Sequence, residues 1–237
     1  MKMKKTILAL AVIFIVSAVI CRADDKTIYP EIDPEYSAVI VSGDFRIIHC
    51  SEDDTLHIVA NEKVLENIEC LLDENTLRVR YKESKGAKAV LSGRSPIIYL
   101  PASGYVKKII LEGTTHMECT APLTADDLAI KLSGTARVIG EVQTQNLQVT
   151  CSGTSNVTIT GKAESFGICI NGASRVSAAE GFECRTANID VNGAGVVRIN
   201  CIEKISGELS GTAIVKYLSS PELSIKTNGL SSIKAID

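Results

Sequence analysis

Tryptophan is absent from these 237 residues, and only six Tyr and four Phe occur. A surface built from so few rings lacks the aromatic platforms that usually carry sugar binding. Histidine is nearly as scarce, at three residues, His49, His57 and His116. There is no Cys-x-x-Cys pair, and no cysteine stands near a histidine at metal-ligand spacing, which excludes the common zinc frameworks. After residue 20 no stretch approaches the ~18 apolar residues of a membrane-spanning helix. No basic run occurs there either.

The start of the chain is a different text from the rest. Lys2, Lys4 and Lys5 precede an uncharged, apolar stretch over residues 7–20 interrupted only by Ser17, with small residues near its end. This is the order of a secretory signal peptide, predicted over residues 1–23. Fourteen residues rise only about 21 Å as a helix, short of a roughly 30 Å hydrocarbon core. Two endings stay open. Cys21-Arg22-Ala23 resembles a cleavage site that would free a chain starting at Asp24, and Ala18-Val19-Ile20-Cys21 loosely resembles a lipobox that would make Cys21 a lipid anchor. Of 25 basic and 28 acidic residues, four basic and no acidic ones lie in residues 1–23. The exported part therefore carries 21 basic against 28 acidic side chains, a net of −7. So acidic a chain is a poor binder of nucleic acid or anionic lipid.

From residue 109 onward the chain repeats itself. Gly113, Gly134, Gly153, Gly172, Gly193, Gly211 and Gly229 follow one another at intervals of 21, 19, 19, 21, 18 and 18 residues. Four residues before each glycine stand Ile109, Ile130, Val149, Ile168, Ile189, Gly207 and Ile225; four after it stand Met117, Val138, Val157, Val176, Val197, Val215 and Ile233. The residues between are mostly polar, so each repeat reads strand, bend, strand, with period-2 alternation on both sides of the glycine. Two positions after the glycine the residue is always small: Thr115, Ala136, Ser155, Ser174, Gly195, Ala213 or Ser231. Equivalent residues recurring in the same order and direction imply parallel coils stacked about 4.8 Å apart. The connections are too short and turn-rich for helices. The fold predicted is all-β, a right-handed parallel β-helix (a three-sided solenoid) with coils of about 18–21 residues.

The section before the repeats is less regular. Residues 39–43, with Ile47 four after Gly43, fit the same template, although Phe45 replaces the small residue. Residues 55–60 read as a strand, and residues 68–81 as two strands around Asp73-Glu74-Asn75. Residues 24–105 are expected to form irregular first coils or a cap, continuous as one domain with the regular repeats of 106–237. Residues 82–95 read as a polar loop.

The search for chemistry returns no catalytic site, no metal site and no cofactor. The histidines read as outward polar strand positions. Asp53-Asp54 and Asp126-Asp127 read as solvated turns rather than calcium ligands, because neither belongs to a ligand series. Ser155 and Ser174 lack a Gly-x-Ser-x-Gly elbow and a histidine in register. Arg137, Arg175, Arg198, Lys216 and Lys234 face outward in two offset columns without Asp partners, a pattern that keeps a strand face soluble. Cys184 lies nine residues before Gly193 and Cys201 ten before Gly211, so they occupy nearly equivalent places on successive coils. A disulfide in the repeat region is expected between these two. Cys151 falls at an inward position and Cys169 at an outward one, so Cys151 is expected to remain a free core thiol.

The runs Leu132-Ser133-Gly134-Thr135-Ala136-Arg137-Val138, Ile170-Asn171-Gly172-Ala173-Ser174-Arg175-Val176 and Leu209-Ser210-Gly211-Thr212-Ala213 resemble the signature of auto-transporter adhesins bearing the head GIN domain. These are exported proteins of gram-negative gut-type bacteria, and the similarity spans roughly residues 36–235. The resemblance implies a β-helical fold and a cell-envelope or surface location, and it offers no catalytic residues to carry over. Two classes of function follow. One is a non-catalytic adhesin or interaction module for a protein or glycan partner, with self-association as a structural variant of the same reading. The other is a polysaccharide-active lyase or hydrolase, which would need carboxylates and bases clustered on one face.

Overall fold

Residue-by-residue alternation around a repeated glycine builds the architecture seen in the computed structural model, which describes residues 25–33, 35–51, 55–82, 94–102 and 106–236. The predicted signal peptide with Cys21, the Asp53-Asp54 turn and most of the loop at 82–95 lie outside the described residues. The chain is a β-solenoid of about seven turns. Its strands are β1 (Asp25–Ile28), β2 (Ala38–Cys50), β3 (His57–Asn61), β4 (Ile68–Asp73), β5 (Thr76–Tyr81), β6 (Ile97–Pro101), β7 (Lys108–Cys119) and β8 (Leu123–Gly134). They continue as β9 (Arg137–Gly153), β10 (Asn156–Gly172), β11 (Arg175–Ala178), β12 (Phe182–Gly193), β13 (Val196–Gly211), β14 (Ile214–Leu218), β15 (Glu222–Thr227) and β16 (Ser232–Ala235). Among the described residues the one helix is the short α1 (Glu62–Leu65), which follows β3 and is capped by the Asn61 side chain, accepting from the Lys63 N–H at 3.1 Å.

The glycine register holds from end to end. Gly43 pairs with Gly113, Gly113 with Gly134, and so on through Gly153, Gly172 and Gly193 to Gly211, all in parallel ladders. Within β10 the ladder to β9 runs over 156–163 and 165–172, with Gly161 at φ +105° inside the first run. The inward columns are sealed: Ile109, Ile130, Val149, Ile168 and Ile189 are at most 1% exposed, and Val138, Val157, Val176, Val197 and Val215 are fully buried. Stiff β-branched side chains of one shape, repeated every coil, fill a narrow core without rotamer choice.

The bend itself explains why glycine recurs. Gly153 sits at φ +100°, and a Cβ there would stand 2.7 Å from the carbonyl oxygen of Gly134 in the coil below. That same oxygen accepts a hydrogen bond from the Thr154 N–H at 2.9 Å. The corner needs positive φ and bare contact between coils, and only glycine supplies both. Gly207 stands at an inward apolar position where a Cβ would meet the Ile189 oxygen at 2.2 Å, so its absence lets β13 approach β12 closely. At Thr227 and Ile225, by contrast, the last coil is exposed and half-buried respectively.

Residues 51–107 take a path that the repeat does not announce. β2 pairs along one edge with β7, residue 38 against 108 through 49 against 119. Its other edge pairs in parallel with β5 and β6. The chain therefore leaves β2, builds the coil beneath it, and returns to lay β7 on top. Antiparallel strands then close that end: β4 pairs with β5, β3 with β6, and β1 with β3. Phe45, where later coils have a small residue, stacks on Tyr81 with ring centres 4.7 Å apart. The Tyr81 hydroxyl donates to the Asp44 carbonyl at 3.0 Å, so a large ring fits where the coil below is a cap strand.

A candidate interaction surface on the post-glycine face

The strands that follow each glycine present a face whose position is set by the bend. On its inner side the small column packs: Thr115, Ala136, Ser155, Ser174 and Ala213 are at most 4% exposed. Ser174 Oγ donates to the Gly153 oxygen at 3.2 Å and accepts from the Ser155 N–H at 3.1 Å. Neither serine is presented as a nucleophile; both are corner packing. Above these small residues the outer surface holds a groove of about 370 Å³, lined by Thr135, Thr154, Ala173 and Ala194 among others.

Positive charge lines this groove. His116, Arg137, Asn156 and Arg175 stack in register along one column, each one coil above the last. Arg137 and Arg175 are thus two coils apart, roughly 10 Å. Both are exposed, and neither has a carboxylate partner among the described residues. On the coils that follow, β13, β14 and β16, Arg198, Lys216 and Lys234 stack in a second column offset by two residues. Arg198 reaches Glu180 at 3.7 Å, and Arg46 pairs with Glu118 at 3.2 Å. The basic residues that the sequence leaves in two offset columns therefore share one face of the solenoid. No carboxylate lines the groove.

The other candidates disperse. His49 is buried at 2% exposure, which corrects its reading as an outward polar position. Its Nδ1–H donates to the Ala121 carbonyl at 3.2 Å, and burial lowers its pKa. His57 lies on the opposite side of the sheet, stacked on Tyr99 at 4.4 Å, because the two histidines align with the successive residues Leu100 and Tyr99 of β6. The two do not converge on a common ligand position. Asp127 accepts from the Asn146 amide at 2.8 Å on an exposed strand. Among the described residues no group of three or more His, Cys, Asp or Glu is placed to hold a metal.

Cys184 and Cys201 stand directly opposite each other in the β12–β13 ladder, beside a register shift between Cys184 and Thr186. Both are buried free thiols. The hydrogen bond with Cys201 and burial push the Cys184 thiol up. Cys201 Sγ lies 3.2 Å from both the Arg185 and Lys204 carbonyls, either of which accepts its proton. Cys151 is fully buried and pushed up to about 12 by burial, while Cys169 is half-exposed on the outer face.

A stack of parallel coils with a basic groove on one face defines the chain as a β-solenoid. The chain belongs to the family described as "putative auto-transporter adhesin, head GIN domain", whose model matches residues 35–221. A Bacteroides fragilis protein described as a putative adhesin shares the fold at a TM-score of 0.80 and 21% identity, over 91% of this chain and 98% of that one. A putative adhesin from Parabacteroides merdae matches at 0.67 and 18% identity, over 90% and 95% of the two chains. A Parabacteroides distasonis protein described as a putative lipid binding protein matches at 0.68 and 15%, over 91% and 98%. No curated protein matches the sequence.

Proposed function

We propose that this chain is an exported cell-envelope or surface interaction module without catalytic activity, and that its post-glycine face docks an anionic protein or glycan. The observation that carries this reading is the groove lined by Arg137 and Arg175, without a carboxylate partner among the described residues, in a chain whose exported part is net negative. Exposed guanidinium groups held at a fixed spacing on a rigid ladder lose little freedom on binding a planar carboxylate or sulfate. Export follows from the basic–apolar–small order of residues 1–23, with either cleavage before Asp24 or lipidation at Cys21. No helix of the described residues is long and apolar enough to cross a membrane.

The test is binding of purified protein to immobilised acidic and neutral polysaccharides and to anionic vesicles, with a Arg137→Glu/Arg175→Glu variant beside it. Acidic polysaccharide should be retained in a salt-sensitive way and lost by at least tenfold in the variant. Binding that is equal for both proteins, or release of unsaturated or reducing ends from the polysaccharide, would overturn the reading. Retention on vesicles alone would move the ligand to a lipid headgroup.

The facing thiols enter the same proposal. In an oxidising compartment Cys184 and Cys201 join as a disulfide by thiol–disulfide exchange, two thiol protons and two electrons passing to an exported oxidant whose own disulfide is reduced to a dithiol. Mass mapping of non-reduced, alkylated protein should yield a peptide linking Cys184 to Cys201 and an alkylated Cys151. Alkylation of both Cys184 and Cys201 would end that assignment.

A further inference from the structure

The two ends of the solenoid are built differently. At the N-terminal end the antiparallel strands cover the first coil, and the inward residues of β5 and β6, Leu77, Val79, Ile98 and Leu100, are at most 1% exposed. At the other end the column Leu128, Leu147, Phe166, Ala187, Ile205 is buried in every coil, yet Leu223, the next residue in it, is 43% exposed. Leu230, just after the last bend glycine, is 83% exposed. β15 pairs with β13 on one side and with nothing on the other among the described residues. An open parallel edge over an uncovered core is a surface that natural proteins close.

We infer that this end is an interface for a second copy of the same chain, which pairs its β15 antiparallel with this one about Ser224. The sequence of the strand is self-complementary: Glu222-Leu223-Ser224-Ile225-Lys226 has opposite charges at equal distances from its centre. Antiparallel pairing about Ser224 sets Glu222 against Lys226 of the second copy, Lys226 against its Glu222, and Leu223 against its Ile225. The alternation of the strand places the apolar pairs on the core side and the charged pairs outside. Lys226 has no acidic partner within the chain among the described residues, whereas Glu222 already accepts from Lys204 at 2.9 Å on an exposed face and can serve both lysines. Among the described residues only this end has an open parallel edge over an exposed core column. The other already covers its own core, so the contact is isologous and closes as a pair rather than growing into a filament. The inference does not depend on what the post-glycine face binds.

Sedimentation velocity of residues 24–237, which hold the whole described fold, reads the outcome directly. At about 50 µM the chain should sediment as two copies, within the range where modest interfaces associate. Glu222→Lys and Lys226→Glu, both at exposed positions, should each weaken association at least tenfold with unchanged circular dichroism. Mixed in equal amounts, those two variants should associate again, because each like-charge contact becomes an opposite one. Ser224→Cys should cross-link two copies through position 224 under mild oxidation, since a residue paired with itself brings the Cα atoms to about 5 Å. A monomeric wild-type chain overturns the inference. So does a dimer indifferent to both charge variants, or one that mixing does not restore and position 224 does not cross-link.

Discussion

At each bend a single glycine carries two constraints at once, and either alone would exclude a side chain. Gly153→Ala forces a left-handed φ on alanine and drives a methyl against the Gly134 carbonyl, breaking the contact on which the coil below depends. The expected cost is about 2–4 kcal/mol of unfolding free energy, read from urea denaturation. The neighbouring small column separates packing from hydrogen bonding. Ser155 Oγ is buried without a partner, whereas Ser174 Oγ bridges the Gly153 oxygen and the Ser155 N–H. Ser155→Ala should therefore be neutral or stabilise by up to about 1 kcal/mol, and Ser174→Ala should cost about 1–2 kcal/mol. Equal effects of the two would contradict the hydrogen-bond assignment. That the column must be small is legible in the sequence; which hydroxyl is satisfied depends on how neighbouring coils align and is not.

Individual strands draw their stability from the coil on either side, so position in the stack matters more than composition. β10 is laddered to β9 on one side and to β11 and β12 on the other, whereas β15 and β16 each have one neighbour among the described residues. Val157 is fully buried in β10 between Val138 and Val176. Val157→Asp should unfold the array at neutral pH, because a carboxylate there has no partner. In native-state hydrogen exchange, the amides of β9 and β10 should exchange only through global opening, and those of β15 and β16 should exchange orders of magnitude faster in dilute solution. Uniform protection along the stack would mean that the last coils are covered. The strand alternation of β7 to β14 is readable from period and glycine spacing alone. The short α1 and the antiparallel cap strands are not, since they obey no repeat and are fixed by what they must cover.

For the molecule as a whole, the buried His49 adds a pH-dependent contribution to stability. Burial lowers its folded pKa below the ordinary 6.5, so the unfolded chain takes up the proton first as pH falls. This contribution is complete above about pH 6.5 and is lost as pH drops through the folded value. Urea midpoints should fall between pH 7.5 and 5.0 by more in the wild type than in His49→Gln, which keeps a donor for the Ala121 carbonyl. A wild-type slope no steeper than that of the variant would place His49 in solvent. The sequence by itself determined the parallel stack, its bend residue, its inward columns and the facing of Cys184 and Cys201, because each is a consequence of period. A repeat, however, says which residues share a column and nothing about the seventy-residue interval from Gly43 to Gly113. Only the tertiary structure decided that β2 lies directly under β7 while the intervening chain passes beneath to build the cap, a choice set by where uncovered core remained. The same physics buried His49, gathered two offset basic columns onto one face above a row of small residues, and left Leu223 exposed at the end of a column that is sealed in every coil before it.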